Sequence, residues 1–397
     1  MALCHLTRAH SWTRRDRLGG LVSGRFYIVA GSTRIVVVGG GIVAASAAYH
    51  LAREGASVIT VEAEFPGPAT GAGAGIICPW GDHGNEACYQ LAADGARYYP
   101  ELLAMLAGDG EADTSYARVG ALCVADETAP LQAIEKLLLS RRSARPEIGD
   151  VRLVEPGEPK RAFPPLAAGL RGLWISGGAR VDGRSIRDCL MRAAERHGAQ
   201  RLRGAAVLES EGVRVDGEHI SADAVVVAAG AWTAQVCAPL GIKLPIGPQR
   251  GQIIHVGLPG ADTAGWPVIL PPEDPYLLGF PGGRVVFGAT RENAGYDYRA
   301  TVGGVGAMLA AAAAIAPGLT EATLLEVRIG FRPATADGRP LLGKAADGVI
   351  IAAGNGPEGL TAGPWTGRAA AAVALGQQPE IDVAPFDPAR FNLVAGH

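Results

Sequence analysis

The sequence predicts a mixed fold, an α/β part built on a parallel sheet joined to an α+β part built on a mostly antiparallel sheet. Three observations carry that expectation. Residues 34–63, RIVVVGGGIVAASAAYHLAREGASVITVEA, read as strand, glycine turn, helix and second strand. Residues 224–229, AVVVAA, repeat the short, continuously apolar run that a strand buried on both faces requires. From Pro245 onward the chain alternates strand and turn, with GQIIHV, PYLLGF and RVVFGAT separated by turn residues.

The first unit is the most informative. Its apolar run, residues 35–38, enters Gly39, Gly40 and Gly41 directly, and an alanine-rich helix from Ile42 to Glu54 stops at Gly55. The second apolar run, residues 57–61, ends at Glu62, 23 residues after Gly39, and Ala63 follows it. Gly39 allows a tight turn, Gly41 lets the backbone approach a pyrophosphate, and Ala44 in the third glycine position keeps the helix close to the sheet. Ile42 and Val43 open a helix whose free N–H groups and positive dipole end favour phosphate. Glu62 is placed to accept hydrogen bonds from the two hydroxyls of an adenosine ribose, which excludes a phosphorylated ribose there. The unit is therefore read as a Rossmann-like dinucleotide site; a glycine turn in an ordinary βαβ unit is the alternative.

With 397 residues, two domains are the default and a large cofactor can be buried. Apolar residues make up 48% of the chain, charged residues 19%, and the net charge is −3, which speaks against a nucleic-acid partner. The longest alanine-rich run, residues 307–316, is about half of what a bilayer span needs. Cys4, Cys78, Cys88, Cys123, Cys189 and Cys237 are scattered without C-x-x-C spacing, so reduced thiols in a cytoplasmic protein are expected and a metal site is not. Residues 1–33 are arginine-rich, lack the apolar core of a secretory signal, and are read as a disordered extension or a misassigned start outside the fold, with a targeting presequence as the alternative.

Further along, residues 67–80 (GPATGAGAGIICPW) place five glycines or prolines before Ile76, and read as an irregular loop with many exposed N–H groups. Thr70, Gly71, Ala74, Gly75 and Ile76 are its candidates for contact with an anionic or planar ligand; a flexible connector is the alternative. Residues 87–106 are helical in pattern, 116–125 read as a strand, 131–142 as an amphipathic helix, and 155–165 as a proline-interrupted loop. Asp182 precedes a helical stripe closed by Gly198, residues 205–208 read as a strand, and the strand at 224–229 ends at Gly230-Ala231-Trp232. Tyr276 opens a hairpin, residues 305–315 make an alanine-rich helix, residues 324–331 a return strand, and residues 366–375 a last helix.

Taken together, GGGIVAASAAYHLAREGASVITVEA, ATGAGAGIICPW, VVVAAGAW, IGFRPATADGRPLLG and GNGPEGLTAGPWTG resemble the FAD-dependent D-amino acid oxidase superfamily over residues 34–391, the glycine oxidase, sarcosine oxidase and D-amino acid dehydrogenase branches above all. The resemblance implies an FAD-binding domain in three pieces (34–88, 178–243, 333–397) and a substrate domain in two (89–177, 244–332). It implies that Val207 lies against the adenine, that Ala229 and Gly230 neighbour the cofactor with Trp232 packing beside them, and that Gly354, Gly356, Gly359, Leu360 and Thr361 contact the flavin.

It also implies that Arg332, in GFRP, binds the substrate carboxylate, as a guanidinium fork matches its two oxygens. Tyr276 stands where a substrate-contacting tyrosine is found in the glycine oxidase branch; an ordinary half-buried strand tyrosine and a surface arginine are the alternatives. Pro357 and Glu358 replace a further basic residue of glycine oxidase, which favours a dehydrogenase-like enzyme. Residues 327–333 hold no cysteine, so FAD is expected to be noncovalent.

The reaction so implied is oxidative deamination of a small D-amino acid, glycine or an N-methyl amino acid, by hydride transfer to flavin N5 with oxygen or a quinone as acceptor. A flavin monooxygenase fed by NAD(P)H and an FAD-binding subunit of a larger complex are the rivals. The reading leaves room for a homo-oligomer and for peripheral membrane association.

Overall fold

The structure is a computed structural model and describes residues 10–15, 21–26, 32–81, 84–273 and 275–391, the first two segments by backbone alone. Two sheets organise it. The first has six strands in the spatial order Gln200–Arg203, Ser57–Glu62, Arg34–Val38, Ala224–Val227, Val349–Ala353 and Leu341–Ala346. All neighbours are parallel except the last pair. Because both faces are covered, its central strands are nearly all apolar: Ile35 and Val37 face the helical layer, while Val36 and Val38 face a layer containing the three-stranded meander of residues 206–221.

The helical layer is held by small residues. Helix Ile42–Arg53 packs against the C-terminal helix Gly359–Ala374 and against Gly183–Arg196, whose N-cap Asp182 accepts from the Arg184 and Ser185 N–H groups. A β carbon on Gly367 would lie 2.5 Å from the Val43 carbonyl oxygen, so the first contact closes only with glycine there. The C-terminal helix starts seven residues earlier than residues 366–375 suggest, because its first turns carry Gly363 and Pro364. Pro364 has no N–H to offer the Leu360 carbonyl, and the buried Tyr99 hydroxyl donates to that oxygen instead.

The second sheet has eight strands, ordered Thr323–Thr335, Ile246–Gly257, Arg284–Gly288, Tyr276–Phe280, Val268–Leu270, Ala121–Ala125, Arg171–Ile175 and Val151–Leu153. It is antiparallel apart from the pairing of Val268–Leu270 with Ala121–Ala125. Helix Val302–Ile315 lies over one face, and the other face merges through Ile253, Leu278 and Val286 with the core of the first sheet.

Several local expectations need correction. Residues 67–80 hold a short helix, Ala69–Ala72, and a strand, Ile76–Ile77, which pairs with Ala179–Arg180; the partner strand is distant in sequence. Residues 155–165 contain helix Glu158–Ala162, where Pro159 sits in the first turn and needs no N–H partner. The strand expected at 116–125 is confined to Ala121–Ala125 because Gly120 turns at φ +75°. In the segment read as disordered, His10–Arg15 and Leu21–Phe26 pair antiparallel, in keeping with the extended-chain preference of Trp12, Thr13, Val22 and Phe26. The remaining residues of 1–31, Cys4 among them, lie outside the described residues.

Candidate active site

A cavity of about 560 Å³ lies between the two sheets, a size suited to a buried small molecule or cofactor. At one end stands the first glycine turn. Gly39 has φ +133°, its N–H donates to the Val61 carbonyl at 2.8 Å, and a β carbon on it would meet the Ala228 carbonyl oxygen at 2.3 Å. The turn is thus clamped between two neighbouring strands. The N-cap residue of the following helix is Gly41, which has no side chain to cap it, and no acidic residue occupies the first turn. Thr70 reaches across to accept the Ile42 N–H on its hydroxyl at 3.0 Å. The remaining positive end of the helix faces the cavity through Gly41, Ile42 and Val43.

Glu62 ends the neighbouring strand and lines the same end together with Ala63. A β carbon on Gly40 would fall 1.9 Å from the Glu62 Cδ, so the middle glycine makes the room in which this carboxylate sits. The cradle continues around the cavity. Gly75, at φ +92°, lies under the Val181 carbonyl where a β carbon would come to 1.7 Å, and Thr70, Ala74 and Ile76 line the wall beside it. Ala229, Gly230 and Trp232 form the opposite lip, with Gly354, Gly356, Gly359 and Leu360 at the start of the C-terminal helix.

Four predicted contacts are placed elsewhere. Val207 is 45% exposed on the meander and does not line the cavity; its predecessors Gly204, Ala205 and Ala206 do, because the chain touches the cavity as it leaves the sheet and has turned away by residue 207. Ala44 is fully buried between the helices and serves their packing. Gly71 turns its carbonyl outward to accept from Arg184 Nε at 3.1 Å and Arg328 Nη1 at 3.2 Å. Thr361 is buried behind Leu360 and donates its hydroxyl to the Ile76 carbonyl at 3.0 Å, tying the C-terminal helix to the 67–80 segment.

At the far end the wall is formed by the second sheet. Arg332 and Tyr276 both line the cavity there, beside Ile253, Leu270, Ala289 and Phe331. Arg332 Nη1 donates to the Thr290 carbonyl at 3.0 Å, and its guanidinium lies over Gly251, where a β carbon would come within 2.6 Å of Nη1. Thr290 is itself fixed: its hydroxyl accepts the Gln252 N–H at 2.9 Å and donates to Glu292 at 2.5 Å.

Gln252 is fully buried and also donates to Glu292 at 2.7 Å and to Thr301 at 3.0 Å. Burial works to raise the Glu292 carboxyl, but hydrogen bonds from Gln252, Thr290 and Arg250 outweigh it and hold the group below its ordinary range. Arg250 closes this network with ion pairs to Glu292 and Asp297 at 2.5 and 3.0 Å.

Sequence reasoning missed Gly40, Arg291, Glu358, Phe65 and Asn355 among the lining residues. Asn355, in the quoted GNGPEGL segment, is buried against Thr366 at 3.3 Å. Phe65, Trp232, Tyr296 and Phe331 make one aromatic cluster, with ring centroids 5.6 Å apart for Phe65 and Trp232, 5.4 Å for Trp232 and Tyr296, and 5.5 Å for Tyr296 and Phe331. Tyr296 donates its hydroxyl to the Ala231 carbonyl at 2.7 Å and so fastens the 289–301 segment to the lip of the glycine cradle. Cys78 lines the cavity as a neutral thiol, since burial pushes its pKa well above the ordinary value.

The family model described as FAD dependent oxidoreductase, DAO, matches residues 34–373, which include both the glycine cradle and Arg332. The chain belongs to this family. It is 45% identical to the uncharacterized oxidoreductase YurR of Bacillus subtilis (strain 168) over 364 residues, 89% of this chain and 98% of that one. It is 32% identical to a glycine oxidase of Pseudomonas aeruginosa over 378 residues, 90% of this chain and 99% of that one. Among solved structures it is similar to iminodiacetate oxidase from Chelativorans sp. BNC1, with 45% identity, a TM-score of 0.86, and 89% and 99% of the two chains covered.

As a member of the DAO family, the protein is an FAD-dependent oxidoreductase of amino-acid-like C–N bonds, and FAD is its noncovalent cofactor. The residues present fit that cofactor: the first helix opens on the cavity with Gly41 as its N-cap and no acidic residue in its first turn, and the Glu62 carboxylate lines the same end. Among the described residues no helix is long and apolar enough to cross a membrane, and no group of three His, Cys, Asp or Glu side chains could hold a metal ion.

Proposed function

We propose that this enzyme oxidises the bond between the α carbon and nitrogen of a small α-amino acid whose carboxylate is held by Arg332. The observation that carries the reading is that Arg332 and Tyr276 line the same cavity as the glycine turn, so one ligand can meet the cofactor and a fixed guanidinium together. The names of the glycine oxidase and iminodiacetate oxidase relatives support a primary or secondary amine on a short carbon chain.

Gly39, Gly41 and the first turn of helix Ile42–Arg53 would hold the diphosphate, Glu62 the ribose, and residues 354–360 the flavin ring. Bound FAD supplies the two-electron acceptor that takes hydride from the substrate α carbon. The work of the chain is placement. Arg332, clamped by the Thr290 carbonyl, donates to the carboxylate in fixed register, and Tyr276 donates a further hydrogen bond from the neighbouring hairpin. The walls formed by Ile253, Leu270, Ala289 and Phe331 exclude water, so the amine enters neutral and its lone pair forms the C=N bond as hydride leaves. The imino acid then takes up water to give an oxo acid and ammonia or an amine.

Anaerobic addition of glycine, sarcosine, D-alanine and iminodiacetate to the FAD-loaded protein tests this. Bleaching of the flavin by at least one of them is expected, and an unbleached flavin with all four removes the proposal. Reoxidation of the bleached protein by oxygen or by a quinone then assigns the acceptor.

A further inference from the structure

A second cavity, of about 210 Å³, lies between helix Ile42–Arg53, helix Gly359–Ala374 and the segment that follows the latter. It shares no lining residue with the larger cavity and has room for a small organic molecule rather than a single water. Trp365 lines it, is 6% exposed, and has its indole N–H buried with no hydrogen-bond partner in the chain. A buried donor of this kind is rare in a folded protein and calls for an acceptor. The neighbouring side chains do not supply one. His50 commits its two ring nitrogens to the Ser46 carbonyl and the Tyr98 hydroxyl. Arg368, stacked over the Tyr98 and Trp365 rings at 5.1 Å from each centroid, is engaged in ion pairs with Glu101 and Glu380.

The electrostatics of the cavity have one sign. Its lining carries the carboxylates of Glu54 and Glu380 against the single guanidinium of Arg368. Glu54 is exposed and enters no ion pair among the described residues. It is also the C-cap of the first helix, and Leu375, the C-cap of the last one, lines the same space, so the negative ends of two helices meet there. We infer that this cavity binds a small organic monocation, a primary ammonium that pairs with Glu54 and carries an amide or alcohol oxygen for Trp365 Nε1–H. A bare metal ion accepts no hydrogen bond, and a free amino acid would bring a carboxylate into a lining already one negative charge in excess. The site is thus complementary to a different class of compound from the carboxylates that Arg332 would hold, and it stands independently of the amine-oxidation reading.

The test titrates FAD-loaded wild type, W365F and E54Q with glycinamide by calorimetry, with the flavin absorbance as the check on folding and loading. Glycinamide has no carboxylate for Arg332. Ethylammonium and acetamide, which each carry one half of it, are titrated in parallel. The expected result is a glycinamide dissociation constant on the order of 1 mM in wild type. It should weaken about 10-fold in W365F, which removes the donor, and about 5-fold in E54Q, which removes the exposed charge. Each half-probe should bind wild type at least about 10-fold more weakly than glycinamide. Absence of glycinamide binding at tens of millimolar, equal affinity in wild type and E54Q, or a half-probe that binds as tightly as glycinamide overturns the inference. If W365F does not fold, E54Q and the half-probes decide.

Discussion

Gly40 and Glu62 share one space: the carboxylate that ends the second strand sits where a β carbon of the turn would be, 1.9 Å from its Cδ. The side chain of Glu62 is flexible and can swing aside, so Gly40→Ala should fold. What it should lose is the carboxylate aimed at the ribose, a charge-assisted pair of roughly 1.5–3 kcal/mol. FAD affinity is expected to fall about 10- to 100-fold with little change in the melting temperature of the apoprotein. Gly39→Ala is different in kind. It meets the Ala228 backbone at 2.3 Å in a φ of +133°, and should lower apoprotein stability by about 1–3 kcal/mol from backbone strain alone. Dye-monitored melting and flavin fluorescence on both variants separate the two effects.

Gly251 plays the matching part at the other end. A methyl group there would come within 2.6 Å of Arg332 Nη1, and the guanidinium, held on one side by the Thr290 carbonyl, would be pushed off its axis. Gly251→Ala should therefore raise KM about 10-fold or more for a carboxylate substrate while FAD stays bound. Arg332→Ala should raise it about 100- to 1,000-fold, and Arg332→Lys should recover little, because a single ammonium cannot present the two-pronged donor. Steady-state kinetics at saturating acceptor, with the flavin absorbance as a loading control, checks all three.

The contact of Tyr296 with Ala231 joins the loop after the hairpin to the lip of the cofactor cradle, with its ring stacked on Trp232 at 5.4 Å. Removing the hydroxyl takes away one neutral hydrogen bond, worth about 0.5–1.5 kcal/mol. Tyr296→Phe should keep the stack and speed FAD dissociation about 3- to 10-fold. Tyr296→Ala, which loses both, should speed it further. Dissociation rates from dilution into an excess of an apoprotein that captures free FAD, read by fluorescence, decide between a fastening and a merely decorative contact.

The parts of the fold and site that were legible in the sequence are those fixed by local rules. An apolar run entering three glycines and an alanine helix can form little else, and the acidic residue at the end of the next strand has one place to be. Arg332 and Tyr276 were legible through resemblance, and both line the cavity. The unread parts depend on distant partners. Strand Ile76–Ile77 exists because Ala179–Arg180 lies beside it, and the proline in the C-terminal helix is tolerated because Tyr99 from another helix serves the orphaned carbonyl. Val207 lies just past the stretch that lines the cavity: one residue earlier, at Ala206, the chain still borders it. Arg291 lines the cavity without a motif to announce it.

His50 sets a limit on acid stability. It lies on the inner helix with Nδ1 donating to the Ser46 carbonyl at 2.9 Å, so Nε2 is left to accept from the Tyr98 hydroxyl at 2.6 Å. The second bond needs the neutral ring, because a protonated Nε2 can no longer accept, whereas the first survives protonation. Burial, with help from the charges of Arg368 and Arg53, depresses its pKa from 6.5 to about 4. A depressed pKa means the unfolded chain binds a proton more readily than the folded one between those values. The contribution of His50 is therefore fully present above pH 6.5 and is lost as the pH falls through about 4. Within that window one proton contributes a slope of about 1.4 kcal/mol per pH unit. His50→Gln removes the titration: the variant should be less stable than wild type at pH 7.5, from the altered bond to Tyr98, and the gap should narrow on acidification. Urea melts at pH 7.5, 6, 5 and 4 measure it, and a gap that stays constant or widens toward pH 4 would show that this histidine is not held neutral by the fold.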